Sequence, residues 1–137
     1  MHEPSYAGGC LCGAVRYTLY GPVRFLCYCH CTSCRRAAGA PMVPWGTVAL
    51  ADLSIVRGEL TQYRSSPPVQ RGFCVSCGTG ISYRHTDRPQ EVDVALATLD
   101  EPQHLAPEAH VWVADKVPWL QITDGLPQFQ GALAAPA

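Results

Sequence analysis

Apolar and β-branched residues come in short runs along this chain, broken by turn residues roughly every 8 to 12 positions. The runs predict strands over residues 14–20, 42–50, 53–56, 60–63, 81–84, 92–99 and 110–113, in which Tyr, Val, Thr and Trp recur. The breaks fall at Gly21-Pro22, Gly58-Glu59, Ser66-Pro67-Pro68, Arg88-Pro89 and Glu101-Pro102. Such a rhythm predicts a mainly β, largely antiparallel domain with at most one short helix. That helix is expected over residues 32–40, where Thr32 or Ser33 can cap and Ala37, Ala38 and the arginines favour helix. Asp93 alternates with Val92 and Val94 and is expected to face solvent. No repeat of solenoid length stands out, and the closing GALAAPA reads as a loose tail.

Length and charge narrow the class. The 137 residues suit one domain, and the 12 Gly and 12 Pro imply many turns and few long helices. Net charge is −1 and the longest basic run is Arg35-Arg36, which argues against nucleic acid as a partner. No apolar run approaches the roughly 18 residues of a membrane span. The opening MHEPSYAGGC lacks the charged and apolar regions of a signal peptide. The expectation is a soluble cytoplasmic protein with no membrane partner.

That expectation bears on the eight cysteines, 10, 12, 27, 29, 31, 34, 74 and 77. Cytosolic thiols stay reduced, so clustered spacing favours metal over disulfides. A redox CxxC would need a βαβ setting, which the strand rhythm does not offer. CLCGAVRY (10–17) and CVSCGTGISY (74–83) share one design: a close cysteine pair, then Gly, then a strand. Each reads as a metal knuckle, with Gly13 or Gly78 taking the backbone shape that a side chain would hinder. A closed structural zinc needs four ligands. Cys10, Cys12, Cys74 and Cys77 fit one such site, joining segments 62 residues apart.

CYCHCTSC (27–34) differs. Cys29, Cys31 and Cys34 offer three local ligands. In an extended segment His30 points away from Cys29 and Cys31, so it reads as a supporting or packing group rather than a ligand. Cys27 and Cys31 would stand roughly 13 Å apart at ~3.3 Å per residue, too far for one ion with ~2.3 Å bonds to sulfur. Three ligands and an open position describe a catalytic zinc. The alternative is a second closed site that Cys27 completes.

The segments GGCLCGAVRY, CHCTSCRRAAGAP and RGFCVSCGTGISYR, with VDVALATLDEP and HVWVADKVPWLQITDGLPQF, resemble the glutathione-dependent formaldehyde-activating enzyme family. The likeness runs from Gly8 to about Phe129, so one zinc-binding domain spans 1–137 with its core at about 8–129. It implies a β-tent fold and two zinc ions, a structural one on Cys10, Cys12, Cys74 and Cys77 and a catalytic one on Cys29, Cys31 and Cys34. It also implies a carbon–sulfur lyase that condenses formaldehyde with glutathione to S-hydroxymethylglutathione. Cys27 is additional to the family's seven-cysteine pattern.

Three further residues are candidates for the chemistry. Three thiolates on a divalent ion leave a net −1, which nearby cations would offset. Arg35 and Arg36 directly follow Cys34 and could steady that charge or hold a substrate carboxylate; otherwise they are solvated helix-face residues. His110 could serve as acid or base near neutral pH, or be a satisfied strand histidine. Trp45, Trp112 and Trp119 read as core or pocket wall.

Overall fold

The computed structural model describes residues 4–133. Among them ten strands form two sheets and one α-helix is present, as the mainly β reading expects. The strands are β1 (Ser5–Gly9), β2 (Arg16–Tyr20), β3 (Arg24–Cys29), β4 (Val43–Ala49), β5 (Leu53–Arg57), β6 (Thr61–Ser66), β7 (Val69–Phe73), β8 (Gly80–His85), β9 (Glu91–Ala95) and β10 (Ala109–Val111), with helix α1 at Thr32–Ala38. The smaller sheet runs β1-β2-β5 and the larger β10-β3-β4-β9-β8-β7-β6. All pairings are antiparallel except that of β10 with β3. No helix among the described residues is long and apolar enough to cross a membrane.

The inner faces of the two sheets share a core. Tyr17 and Leu19 of the first sheet, with Val15 just before β2, pack with Val48, Ile81, Val92 and Val94 of the second and with Leu96 just beyond β9. Alternation along β2 sends Tyr17 and Leu19 inward, both fully buried, and leaves Arg16 and Thr18 partly exposed. The buried Tyr17 hydroxyl keeps its polar tip satisfied against Thr98 Oγ1 at 2.6 Å. Burial pushes its titration up to about 12. Gly8 passes directly beneath this ring, so a Cβ there would collide with the phenol and the Thr98 carbonyl. A second tie is the bidentate Arg16–Asp100 pair, and the Asp100 amide donates to the Ala7 carbonyl at 2.9 Å.

Several elements differ from the sequence pattern. β1 is SYAGG, with too few apolar residues to register as a strand, and it exists because β2 pairs along its whole length. β3 carries a bulge in its pairing with β4, and Phe25 within it has φ +53°, which breaks the alternation. β7 follows two prolines and contains Gly72, yet it lies between β6 and β8. β9 stops at Ala95, and Leu96–Thr98 continues as a 3₁₀ turn. β10 stops before Trp112, whose φ is +56°. The helix ends at Ala38 because Gly39 adopts a left-handed conformation. Its N-cap is Cys31, rather than Thr32 or Ser33.

Asp93 does not face solvent. Its side chain is 14% exposed, accepts a hydrogen bond from Thr47 Oγ1 at 2.7 Å and pairs with Arg88 at 3.0 Å. The barrier to burying this carboxylate is met by a hydroxyl and a guanidinium. Trp119 is also misplaced by the sequence reading, being 71% exposed.

Candidate metal centres and the cavity between them

None of the eight cysteines is bridged to another. Their sulfurs gather into two groups, one of Cys10, Cys12, Cys74 and Cys77 and one of Cys29, Cys31 and Cys34, each with all ligand atoms within 4.8 Å of one another. Either group could hold a metal ion. Cys27 belongs to neither, although it packs beside the second. Burial pushes its thiol up to about 11.

The four-sulfur group arises where two related turns meet. In the first, Cys10 N donates to Val15 O at 3.1 Å and Gly13 N to Cys10 O at 3.2 Å. In the second, Cys74 N donates to Thr79 O at 3.0 Å and Gly78 N to Cys74 O at 2.7 Å. Gly13 and Gly78 have φ of +81° and +82°, a conformation that strains any residue with a Cβ. The repeated Cys–Gly pattern in the sequence is therefore a pair of related turns that share a left-handed glycine and differ by one residue in length. Cys12 lies 3.7 Å from Cys10 and 3.8 Å from Cys74, sulfur to sulfur. Cys10 also accepts from the Val15 amide at 3.2 Å. Cys77 lies 3.2 Å from the Thr79 hydroxyl, the largest cause of a fall in its thiol titration to about 5.

The three-sulfur group is local. Cys29 ends β3, Cys31 caps α1 and Cys34 lies in the first turn of the helix. The Cys31 sulfur accepts from the Cys34 amide at 3.3 Å. Hydrogen bonding from the Cys29 and Cys34 thiols, helped by the positive charge of Arg71, holds Cys31 well below the usual thiol range. Val43, Ala95, Val111, Phe129 and Leu133 pack around this group.

A cavity of about 940 Å³ opens onto Cys34. It runs from helix α1, at Ser33 and Arg36, across Trp45 and Phe73 to Gly78 and Thr79 of the second knuckle. Arg71 lines it and directs both terminal nitrogens at Cys34 Sγ, at 3.7 and 3.8 Å. Its guanidinium also lies 5.0 Å over the Tyr83 ring and contacts Ser65 Oγ at 3.3 Å. Sequence reasoning missed Arg71, although it stands inside the RGFC segment that carries the family likeness. Arg36 lines the same cavity, exposed. Arg35 is half-buried and turns back to donate to Thr32 Oγ1 at 3.2 Å.

The structure separates His110 from this cavity. Val111 packs with Cys29, so alternation turns the neighbouring His110 to the other face of the larger sheet. There it is fully buried and stacked on Tyr28 at 4.8 Å. Its Nε2 donates to Asp124 at 2.8 Å, and its Nδ1 shares a hydrogen bond with His30 Nε2 at 2.8 Å. His30 lies outside the sulfur group, and its own Nδ1 is buried without a partner. This chain joins β3, β10 and the segment at Asp124, and it holds the loop that carries Cys29 and Cys31 from behind. Of the tryptophans, Trp45 lines the cavity, while Trp112 is 43% exposed.

A family model described as glutathione-dependent formaldehyde-activating enzyme matches residues 5–115. A protein of Schizosaccharomyces pombe named as an uncharacterized lyase is 26% identical over 113 residues, 82% of each chain. A Halomonas elongata protein, named as a candidate glutathione-dependent formaldehyde-activating enzyme, is 27% identical over 124 residues, covering 84% of this chain and 79% of its own. The crystal structure of a Rhodobacter sphaeroides protein superimposes with a TM-score of 0.57 at 25% identity, over 90% of this chain and 98% of its own.

Proposed function

The chain belongs to the glutathione-dependent formaldehyde-activating enzyme family, and we propose that it is a zinc-dependent carbon–sulfur lyase that joins an aldehyde such as formaldehyde to glutathione or a related thiol. One observation carries this reading: three gathered sulfurs, one of which, that of Cys34, borders a large cavity, with an arginine that pairs with no carboxylate among the described residues aimed at it.

The donor chemistry fits zinc. Tetrahedral zinc–thiolate bonds of ~2.3 Å set neighbouring sulfurs about 3.8 Å apart. The 3.7 and 3.8 Å separations around Cys12 match that edge. Cys10, Cys12, Cys74 and Cys77 would hold a structural ion. Cys29, Cys31 and Cys34 would hold a second with one position free. When bound there, zinc supplies a place for the substrate thiol to reside as a thiolate, the nucleophilic form.

The chain's own residues account for the rest. Arg71 offsets the negative charge gathered at Cys34. Arg36 is free to meet a substrate carboxylate, and Arg35 supports the first turn of the helix through Thr32. Trp45 and Phe73 exclude water from one wall of the cavity. In the condensation the thiol sulfur forms a bond to the carbonyl carbon. The carbonyl π electrons move to oxygen, and the thiol proton ends there. We assign His110 to positioning, since it lies behind the sheet. The thiol-rich composition fits the reducing cytoplasm, and one domain with its core at about 8–129 accommodates both centres.

Cobalt(II) substitution tests this reading, because its absorption reports sulfur ligation. Glutathione should intensify the sulfur-to-metal band of the three-cysteine site, and the chain should form S-hydroxymethylglutathione faster than the uncatalysed mixture. An unchanged spectrum at saturating glutathione removes the thiol-bound mechanism. Ligation without rate enhancement leaves a thiol-binding protein that is not an enzyme.

A further inference from the structure

The cavity is larger and more apolar than a one-carbon aldehyde requires. Formaldehyde is hardly bigger than a water molecule, whose share of the liquid is about 30 Å³, whereas the cavity has about 940 Å³. That lies at the upper end of the range for drug-sized ligands, roughly 300–1,000 Å³. Glutathione would occupy part of it, but its backbone is polar throughout. The walls are not. Trp45, Tyr63 and Phe73 present three aromatic rings, and Met42, Val43 and Pro44 add aliphatic surface.

Charge in the cavity is one-sided. Arg36 and Arg71 line it, and neither Asp nor Glu does. The ion pairs among the described residues engage Arg16, Arg24 and Arg88. Arg71 is already turned to Cys34, Tyr83 and Ser65, so Arg36 is the cavity cation left for something that arrives. Tyr63 is 62% exposed although it borders an apolar wall, as expected of a ring kept for a ligand rather than for the core.

We infer that the carbonyl partner carries an aromatic body, so that the cavity holds an anionic thiol adduct of an aryl aldehyde. This rests on the thiol-lyase reading above. The anionic groups of the thiol meet Arg36, the sulfur sits toward Cys34, and the aryl group lies among Trp45, Tyr63 and Phe73. Polar peptide and apolar substituent together account for both kinds of wall.

The test is calorimetric titration of the zinc-loaded full chain with glutathione, S-methylglutathione and S-benzylglutathione. The two thioethers have no free thiol, so the difference between them reports the cavity wall alone. S-benzylglutathione should bind at least about tenfold more tightly than S-methylglutathione, given the apolar area of a phenyl ring. Tyr63→Ala, at an exposed position that leaves the core untouched, should remove most of that preference. Equal affinity of the two thioethers, with glutathione still bound, overturns the inference and leaves the thiol-lyase reading standing. A benzyl preference that Tyr63→Ala does not change puts the aryl group elsewhere and overturns it too. Failure of all three compounds to bind overturns both readings.

Discussion

The guanidinium of Arg71 stands 3.7 Å from the sulfur of Cys34, although 37 residues separate them in the chain. The contact spans two elements that share no strand pairing. Arg71 reaches over the Tyr83 ring of β8 to the first turn of α1. An arginine held by a ring face and a hydroxyl, with its remaining donors on a sulfur, favours the thiolate there and opposes the neighbouring Cys31 and the burial that push the Cys34 thiol up.

This gives a prediction for metal retention. Arg71→Leu should weaken the three-cysteine site while the four-cysteine site keeps its ion. A hydrogen bond to a charged group contributes about 1.5–3 kcal/mol when buried. With Arg71 partly exposed and the contact long, about 1 kcal/mol is the reasonable figure, or roughly a fivefold loss of affinity. Arg71→Lys should recover part of it, since the charge remains and the paired geometry does not. Competition with a chelator of known affinity measures the change, and identical cobalt(II) retention in parent and Arg71→Leu would remove Arg71 from the site.

Much of this site is legible in the sequence, and what is missed has a common cause. The two knuckles are visible because ligand, glycine and strand are contiguous, and Gly13 and Gly78 adopt the same positive φ. The separation of three local cysteines from Cys27 follows from strand spacing, and their sulfurs gather without it. Arg71 is invisible because only the β7–β8 pairing brings it to Tyr83 and onward to Cys34. Asp93 misleads because alternation specifies a face, not what covers that face; Arg88 and Thr47 cover it. β1 has almost no apolar signal of its own, and is specified by Tyr17, whose ring needs the bare backbone of Gly8 beneath it. His110 was readable as a catalytic group or as a satisfied one, and only the long-range register of β10 on β3 sets it behind the sheet.

The Arg16–Asp100 pair gives a pH dependence with a defined sign. The Arg16 guanidinium, chiefly by hydrogen bonding, holds the Asp100 carboxyl below the usual carboxylate range. A carboxyl whose folded-state titration is depressed contributes stability above its unfolded value of about 4 and loses it as pH falls through the folded one. Asp100→Asn should therefore be less stable than the parent at neutral pH, and the two should converge below about pH 4. Both side chains are partly exposed, 33% and 47%, so the difference should be no more than about 1 kcal/mol and should shrink in salt. Denaturant melts of parent and variant at a series of pH values give the comparison directly. A constant gap across the acid range would mean the substitution acts through something other than this charge.

The two sulfur groups should fail in different ways, because they tie together different amounts of chain. Cys10 and Cys12 precede β2, whereas Cys74 and Cys77 lie between β7 and β8 in the other sheet. An ion shared by these four closes a loop of about half the described chain and joins the two sheets at one end. Structural zinc sites contribute an apparent 10–16 kcal/mol in small metal-dependent domains, as much as the whole stability of an ordinary domain, about 5–15 kcal/mol. Cys74→Ser should therefore lower the melting temperature steeply or leave the chain unfolded, and chelation should do the same to the parent. Cys29, Cys31 and Cys34 lie within six residues and join only the end of β3 to α1. Replacing one of them should release about one metal ion per chain and leave the far-ultraviolet dichroism and the main transition nearly intact. Cys27→Ser discriminates further. Its sulfur lies outside the group of three, and its thiol, pushed up by burial, stays protonated at neutral pH. The variant should keep both ions, counted by elemental analysis of the purified chain. If Cys27→Ser loses the second ion, the three-cysteine site is a closed four-thiolate one. If Cys74→Ser melts with the parent, the first knuckle pair is not what holds the two sheets together.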